Sequence, residues 1–185
     1  MNFHTHFDLM GKHAFLSASN YHWLNYTPAK LEQVYINKKR MEEGTRLHDL
    51  ASELIERRFK LAALKKAFNM FVNDAIGFSM ESEQVLYYSD NCFGTADAIK
   101  FKDNFLQIHD LKTGLSKPSF KQLDIYAALF CLEYGEDPHK IQIEQRLYQG
   151  KGYEINLPDP DLIADIMTKI VMYDKLLDEI KQNEL

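Results

Sequence analysis

A mixed β-sheet flanked by helices, an α/β fold in the broad sense that includes α+β, is what this sequence predicts. Three observations carry that expectation. Apolar residues recur at helical spacing through the first part of the chain, three strand-like stretches follow closely between residues 83 and 112, and a helix, a strand and a helix come after them. With 185 residues and 45% hydrophobic content the chain is long enough to bury one core, and nothing in it is repetitive or of low complexity. No linker divides it, so a single domain over residues 1–185 is expected.

The elements follow in order. Thr27-Pro28 reads as a helix start, with Thr as the cap and Pro at the first helical position, and a short helix to about residue 37 is expected. From Met41 a second pattern places Leu47, Leu50, Ala51, Leu54 and Ile55 on one side. His48 lies at the edge of that stripe, near Gly44 and Ile55, so it borders the core. Leu61, Leu64, Phe68, Phe71, Val72 and Ala75 continue at helical spacing. Strands are expected over about residues 83–89, 93–101 and 105–112, the last two joined by a tight turn at Lys102-Asp103-Asn104. Leu123, Tyr126, Ala127, Phe130, Cys131 and Tyr134 then mark an amphipathic helix that Gly135 stops. Ile141, Ile143 and Leu147 alternate as a strand. Asp159-Pro160 opens a last helix, packed on the core over 159–185, with Leu162, Ile163, Ile166, Met167, Ile170, Leu177 and Ile180 on its buried side.

Composition narrows the function classes. No apolar run approaches the roughly 18 residues of a membrane span, and Met1-Asn2-Phe3-His4-Thr5-His6 lacks the basic start and apolar centre of a signal peptide, so no membrane association and a cytoplasmic location are expected. Cys92 and Cys131 are too few for a disulfide framework or a four-cysteine cluster. A net charge of −5 argues against a protein that coats nucleic acid, although Lys38-Lys39-Arg40 and Arg57, Arg58, Lys60, Lys65 and Lys66 make local basic surface. That surface suits a solvated helix face and a nucleic-acid track equally well.

The chemistry concentrates between Gly94 and Tyr126. Asp110 and Lys112 are two apart on a strand, so both side chains leave one face while Leu111 points into the core and turns its carbonyl toward the site. The turn after Phe101 returns the chain antiparallel and brings Asp97 beside Asp110. Two carboxylates and a carbonyl suit a hard cation such as Mg2+.

Gly94-Thr95-Ala96-Asp97, then Asp110-Leu111-Lys112-Thr113-Gly114, then Gln122-Leu123-Asp124-Ile125-Tyr126, preceded by Gly44-Thr45-Arg46-Leu47-His48, resembles the PD-(D/E)XK nuclease superfamily in its RecB-like branch. Leu16-Ser17-Ala18-Ser19 with Trp23-Leu24-Asn25 is similar to the first motif of phage and prophage members, and the resemblance covers about residues 14–150. It implies a restriction-endonuclease-like core and a metal-dependent deoxyribonuclease, an exonuclease of phage type working in recombination or repair. In that reading His48, Asp97, Asp110 and the Leu111 carbonyl hold Mg2+, with Mn2+ as substitute. Asp97, Asp110 and Lys112 are then catalytic, and Gln122, Tyr126, Lys117 and Ser19 contact nucleic acid. DNA is the implied partner, a single-strand annealing protein and a homo-oligomer are further ones, and the iron–sulfur cluster of some relatives is excluded by the cysteine count.

Other readings stand beside this one. The same core serves endonucleases and nickases, and a non-catalytic DNA-binding or assembly module would keep the fold without the chemistry. Taken singly, His48 would be an interior polar group, Asp110 and Lys112 a same-face ion pair, and Tyr126 a core residue. His4-Thr5-His6-Phe7-Asp8 resembles the His-x-His strand of metal-dependent amidohydrolases, but their barrel needs about 250 residues. Residues 1–13 therefore read as a flexible or surface N-terminus, in which His4, His6 and His13, with His22 beyond it, are adventitious zinc or nickel ligands.

Overall fold

The computed structural model describes Phe7 and residues 14–114 and 117–183. His4, His6 and His13 lie outside the described residues. The chain divides into two compact units, Met1–Glu43 and Gly44–Leu185.

In the first unit a single turn of 3-10 helix at Tyr21–Asn25 is tied down by Trp23, whose indole N–H donates to the Ser17 carbonyl at 3.0 Å. Thr27 caps the next helix as expected: its hydroxyl accepts the Lys30 N–H at 3.2 Å, and Pro28 occupies the first position. That helix, α1 (Pro28–Glu56), is one 29-residue element where two were expected. Lys38-Lys39-Arg40-Met41-Glu42-Glu43 contains no breaker, and a Lys39–Glu42 pair at 3.3 Å supports it, so nothing stops propagation.

The second unit is built on a five-stranded sheet in the order β1 (Glu81–Ser89), β2 (Cys92–Lys102), β3 (Phe105–Lys112), β4 (Gln142–Gln149), β5 (Gly152–Asn156). The pairs β1/β2, β2/β3 and β4/β5 are antiparallel, and β3/β4 is parallel, with α3 (Lys121–Tyr134) as the connection that a parallel pair requires. One face carries α2 (Ala67–Phe78) and the C-terminal half of α1, burying Ala51, Ile55, Phe71, Val72, Ala75, Leu111 and Tyr148. The other carries α3 and the start of α4 (Pro160–Asn183), burying Leu86, Ile99, Ile108, Leu123, Leu129, Leu147 and Ile163. This is the mixed sheet flanked by helices that the sequence predicts, consistent with a restriction-endonuclease-like core.

Four local expectations are corrected. Leu61 and Leu64 are not helical: Asn73 accepts the Leu61 N–H at 2.8 Å and donates to its carbonyl at 3.0 Å, giving that backbone another partner. Leu50 is exposed on α1. The chain turns at Gly150 (φ 63°) into β5, an edge strand too short and too polar for its alternation to register. On α4 only Ile163 is fully buried, and Leu162, Leu177 and Ile180 are exposed, because the helix runs on beyond the core it starts against. Polar contacts hold this later part. The Ser89 hydroxyl and the Asn91 side-chain amide donate to Asp174, that amide also donates to Asp178 at 2.8 Å, and Lys181 donates to Asn91 Oδ1. Among the described residues no helix is long and apolar enough to cross a membrane.

Candidate metal centre

The centre lies where the sheet stops being regular. β2 pairs with β3 from Lys102 opposite Phe105 to Ala98 opposite His109, and no further, although β2 continues along β1 and β3 continues beside β4 to Lys112. Asp97 and Asp110, next in that register, therefore face each other across unpaired backbone. The Asp97 carboxylate takes over from the ladder: its Oδ2 accepts the Leu111 N–H at 2.8 Å. Strand β1 is irregular at the same level. Its pairing with β2 passes from Ser82–Ala98 to Gln84–Ala96, and Glu83, between them, has a φ of 49°, a left-handed conformation that costs a non-glycine residue about 1–2 kcal/mol. Ala96 and Ala98, which regular alternation would put on one face, pack in the two different cores.

This distortion gathers three ligand types. One donor atom each from His48, Glu83 and Asp97 lies within 4.8 Å of the others, and His48 Nδ1 is 3.3 Å from Asp97 Oδ2. The hydrogen bond to Asp97 raises the His48 pKa above 6.5 against the opposing effect of burial. Burial, and then the Asp97 charge, raise that of Glu83. Glu83 was not anticipated from the sequence. Counting back from the β1–β2 turn, where Ser89 opposes Cys92, would put Gln84 opposite Asp97; the register shift between Tyr87 and Ser89 brings Glu83 there instead, and no local pattern in the sequence announces that shift.

Beside this trio stands the expected pair from β3. The Asp110 carboxylate is almost wholly buried, and burial, then the Asp97 charge, push its pKa up to about 6 in spite of Lys112. The Lys112 ammonium donates to Asp110 Oδ1 at 3.0 Å and lies 2.9 Å from Oδ2, but no directed hydrogen bond reaches Oδ2. Lys112 also donates to Gln122 Oε1 at 2.6 Å, and the Gln122 amide donates to the Tyr126 hydroxyl at 2.8 Å. Tyr126 itself is a core residue, so the chain from Asp110 to Tyr126 anchors the lysine to packed structure.

Two glycines let these pieces approach. A Cβ on Gly44, in the helix that carries His48, would lie 2.7 Å from Thr113 Oγ1, and one on Gly94 would lie 3.0 Å from the Tyr126 ring. The motif glycines thus mark backbone contacts between motifs. On the opposite face of β3, His109 belongs to a structural network. Burial drops its pKa to about 3, its Nδ1 is 3.3 Å from the Tyr148 hydroxyl, and that hydroxyl donates to Asp74 at 2.7 Å.

The donor set suits a divalent cation. A buried carboxylate oxygen that receives no directed hydrogen bond, next to further carboxylates and an imidazole, is one that a hard cation would satisfy. Of the remaining sequence candidates, the Leu111 side chain is buried as expected and its N–H is engaged by Asp97. Lys117 lines a cavity that Lys112 shares. Ser19 belongs to the first unit, where its hydroxyl lies 3.2 Å from that of Ser17. No protein-family model matches the chain and no curated protein is significantly similar to it, so the centre and the motifs that build it are the ground on which a functional reading stands.

Proposed function

We propose that this protein is a metal-dependent nuclease hydrolysing phosphodiester bonds of DNA, of the PD-(D/E)XK type that its motifs resemble. One observation carries the reading: His48, Glu83 and Asp97 converge within 4.8 Å in the gap where β2 and β3 part, directly beside the ion-paired Asp110 and Lys112. A divalent cation held there, Mg2+ with Mn2+ as substitute, would supply Lewis acidity toward a phosphate oxygen and toward water.

The side chains have separable parts in this reading. Asp97, Asp110, Glu83 and a neutral His48 would hold the cation. Lys112 is positioned to counter negative charge that develops on the phosphoryl oxygens, which is where fixed positive charge contributes most to rate. Gln122 keeps the ammonium aimed, since a lysine side chain otherwise samples many rotamers. The resemblance to phage-type members favours an exonuclease.

Linear, circular and single-stranded DNA incubated with Mg2+, Mn2+ or EDTA tests this. Degradation of linear DNA with either metal, none in EDTA, and sparing of closed circles are expected of an exonuclease, whereas cutting of circles identifies an endonuclease. Asp110→Asn and Lys112→Ala, made singly, should each lose a hundredfold or more in rate while keeping the native circular dichroism spectrum. Full activity in either folded variant would overturn the assignment.

A further inference from the structure

Lys112 has a second neighbour besides the carboxylates: a cavity of about 490 Å3 that it lines together with Lys117, Ser119, Lys121, Gln122 and Gln149. Three lysines line it: Lys112 at the end of β3, Lys117, and Lys121 at the first position of α3. Among the described residues no carboxylate lines it. Lys112 is engaged by Asp110 and Gln122, but among the described residues Lys117 and Lys121 form no ion pair, and both are exposed. Ser119 accepts the Lys121 N–H at 3.3 Å, which leaves its own hydroxyl proton available, and the Gln149 amide fixes one wall by donating to the Gly114 carbonyl at 2.7 Å. Lys117 and Lys121 stand beside the already paired Lys112 without a counter-charge of their own, and an anion with several acceptor oxygens would supply one.

We infer that this cavity is a phosphate-binding subsite, holding a phosphate of the substrate strand next to the one that reacts. The inference rests on the nuclease reading for the identity of that strand. It gives the centre a direction. A carboxylate-rich cation site and a lysine-rich anion site share Lys112 as their common wall, so a strand that places one phosphate at the first extends into the second. It also locates the grip on nucleic acid in a chain whose net charge is −5. The phosphate is either an internal phosphodiester or a terminal monoester.

Fluorescence anisotropy with the full chain in EDTA decides the matter, using a labelled 12-nucleotide single strand with a 5′-phosphate, a 3′-phosphate or neither. The Lys117→Gln, Lys121→Gln double variant should bind about tenfold more weakly, with a plot of log affinity against log salt shallower by about 0.7, the value for one neutralised phosphate on a single strand. Loss confined to one end-phosphorylated strand identifies the monoester, and equal loss on all three identifies the internal diester. In Mn2+ the same variant should raise KM about tenfold and keep kcat within about twofold, since neither lysine touches the reacting atoms. Wild-type affinity and salt slope in the double variant, with an unchanged melting temperature, would overturn the subsite. A wild type that binds DNA through these lysines but never cleaves it would overturn the nuclease reading and leave the subsite standing.

Discussion

At the scale of single residues, Glu83 separates stability from function. Its left-handed backbone carries a cost that glycine would not, and its carboxylate repels Asp97. Glu83→Gly should therefore raise the melting temperature of the metal-free protein by a few degrees, about 1 kcal/mol for a chain of this size, while the rise produced by Mn2+ shrinks. Thermal melts of both proteins with and without Mn2+ read this directly. An unchanged Mn2+ response would remove Glu83 from the centre. His48 is tested in the same way. If it is a ligand, His48→Ala weakens the metal titration of activity and excess Mn2+ partly restores it. If it only packs, the melting temperature falls and the metal titration overlays the wild type.

At the scale of elements, the contact between α1 and the end of β3 is the joint that brings His48 to the carboxylates. Gly44→Ala gains helix propensity, about 1 kcal/mol, but drives a Cβ against Thr113. The single variant should lose stability and activity. Adding Thr113→Ala should recover both, with a coupling of at least about 0.5 kcal/mol in a double-mutant cycle of unfolding free energies, and additivity would show that the two elements do not press on each other. The far half of α4 makes a contrasting case. It is held chiefly by Asn91, Ser89, Asp174, Asp178 and Lys181, so its amides should exchange with solvent much faster than those of the sheet, and faster still in Asn91→Ala. Uniform protection along α4 would contradict this. These elements also show what was legible in advance. The β2 and β3 strands, Asp97 beside Asp110, and the Gly135 stop followed from alternation, a tight turn and a glycine, all local signals. The continuity of α1, the exposure of Leu177 and Ile180, and the place of Glu83 depended on what each segment meets across the fold, which no local period encodes.

For the whole molecule, the centre couples folding to pH. Burial raises the Asp110 pKa from 3.8 to about 6, and the hydrogen bond to Asp97 raises that of His48 from 6.5, so both groups bind protons more tightly in the folded state. A raised pKa contributes stability that is fully present below the unfolded value and lost as pH rises through the folded one. The metal-free protein should thus lose up to about 3 kcal/mol between pH 4 and 7 relative to Asp110→Asn, which cannot ionise at that position. A flat difference between the two melting curves across that range would sink the assignment of this carboxyl. Protons and a cation compete for the same atoms, so the stabilisation by Mg2+ or Mn2+ should grow over the same interval, and cleavage should fall as pH drops.

The three carboxylates of the centre all belong to the antiparallel run β1–β2–β3, within 28 residues of chain from Glu83 to Asp110. Antiparallel neighbours joined by tight turns form with little loop-closure cost, whereas the parallel partner β4 must wait for the whole of α3 to cross over. That topology predicts that the acidic cluster assembles ahead of the parallel pairing of β3 with β4. Repulsion between these charges would oppose that step, and a divalent cation bound there would relieve it. If the centre binds a cation, Mg2+ should therefore speed refolding as well as slow unfolding, and stopped-flow refolding with Mg2+ or EDTA checks this: equal refolding rates would confine the cation to the finished sheet.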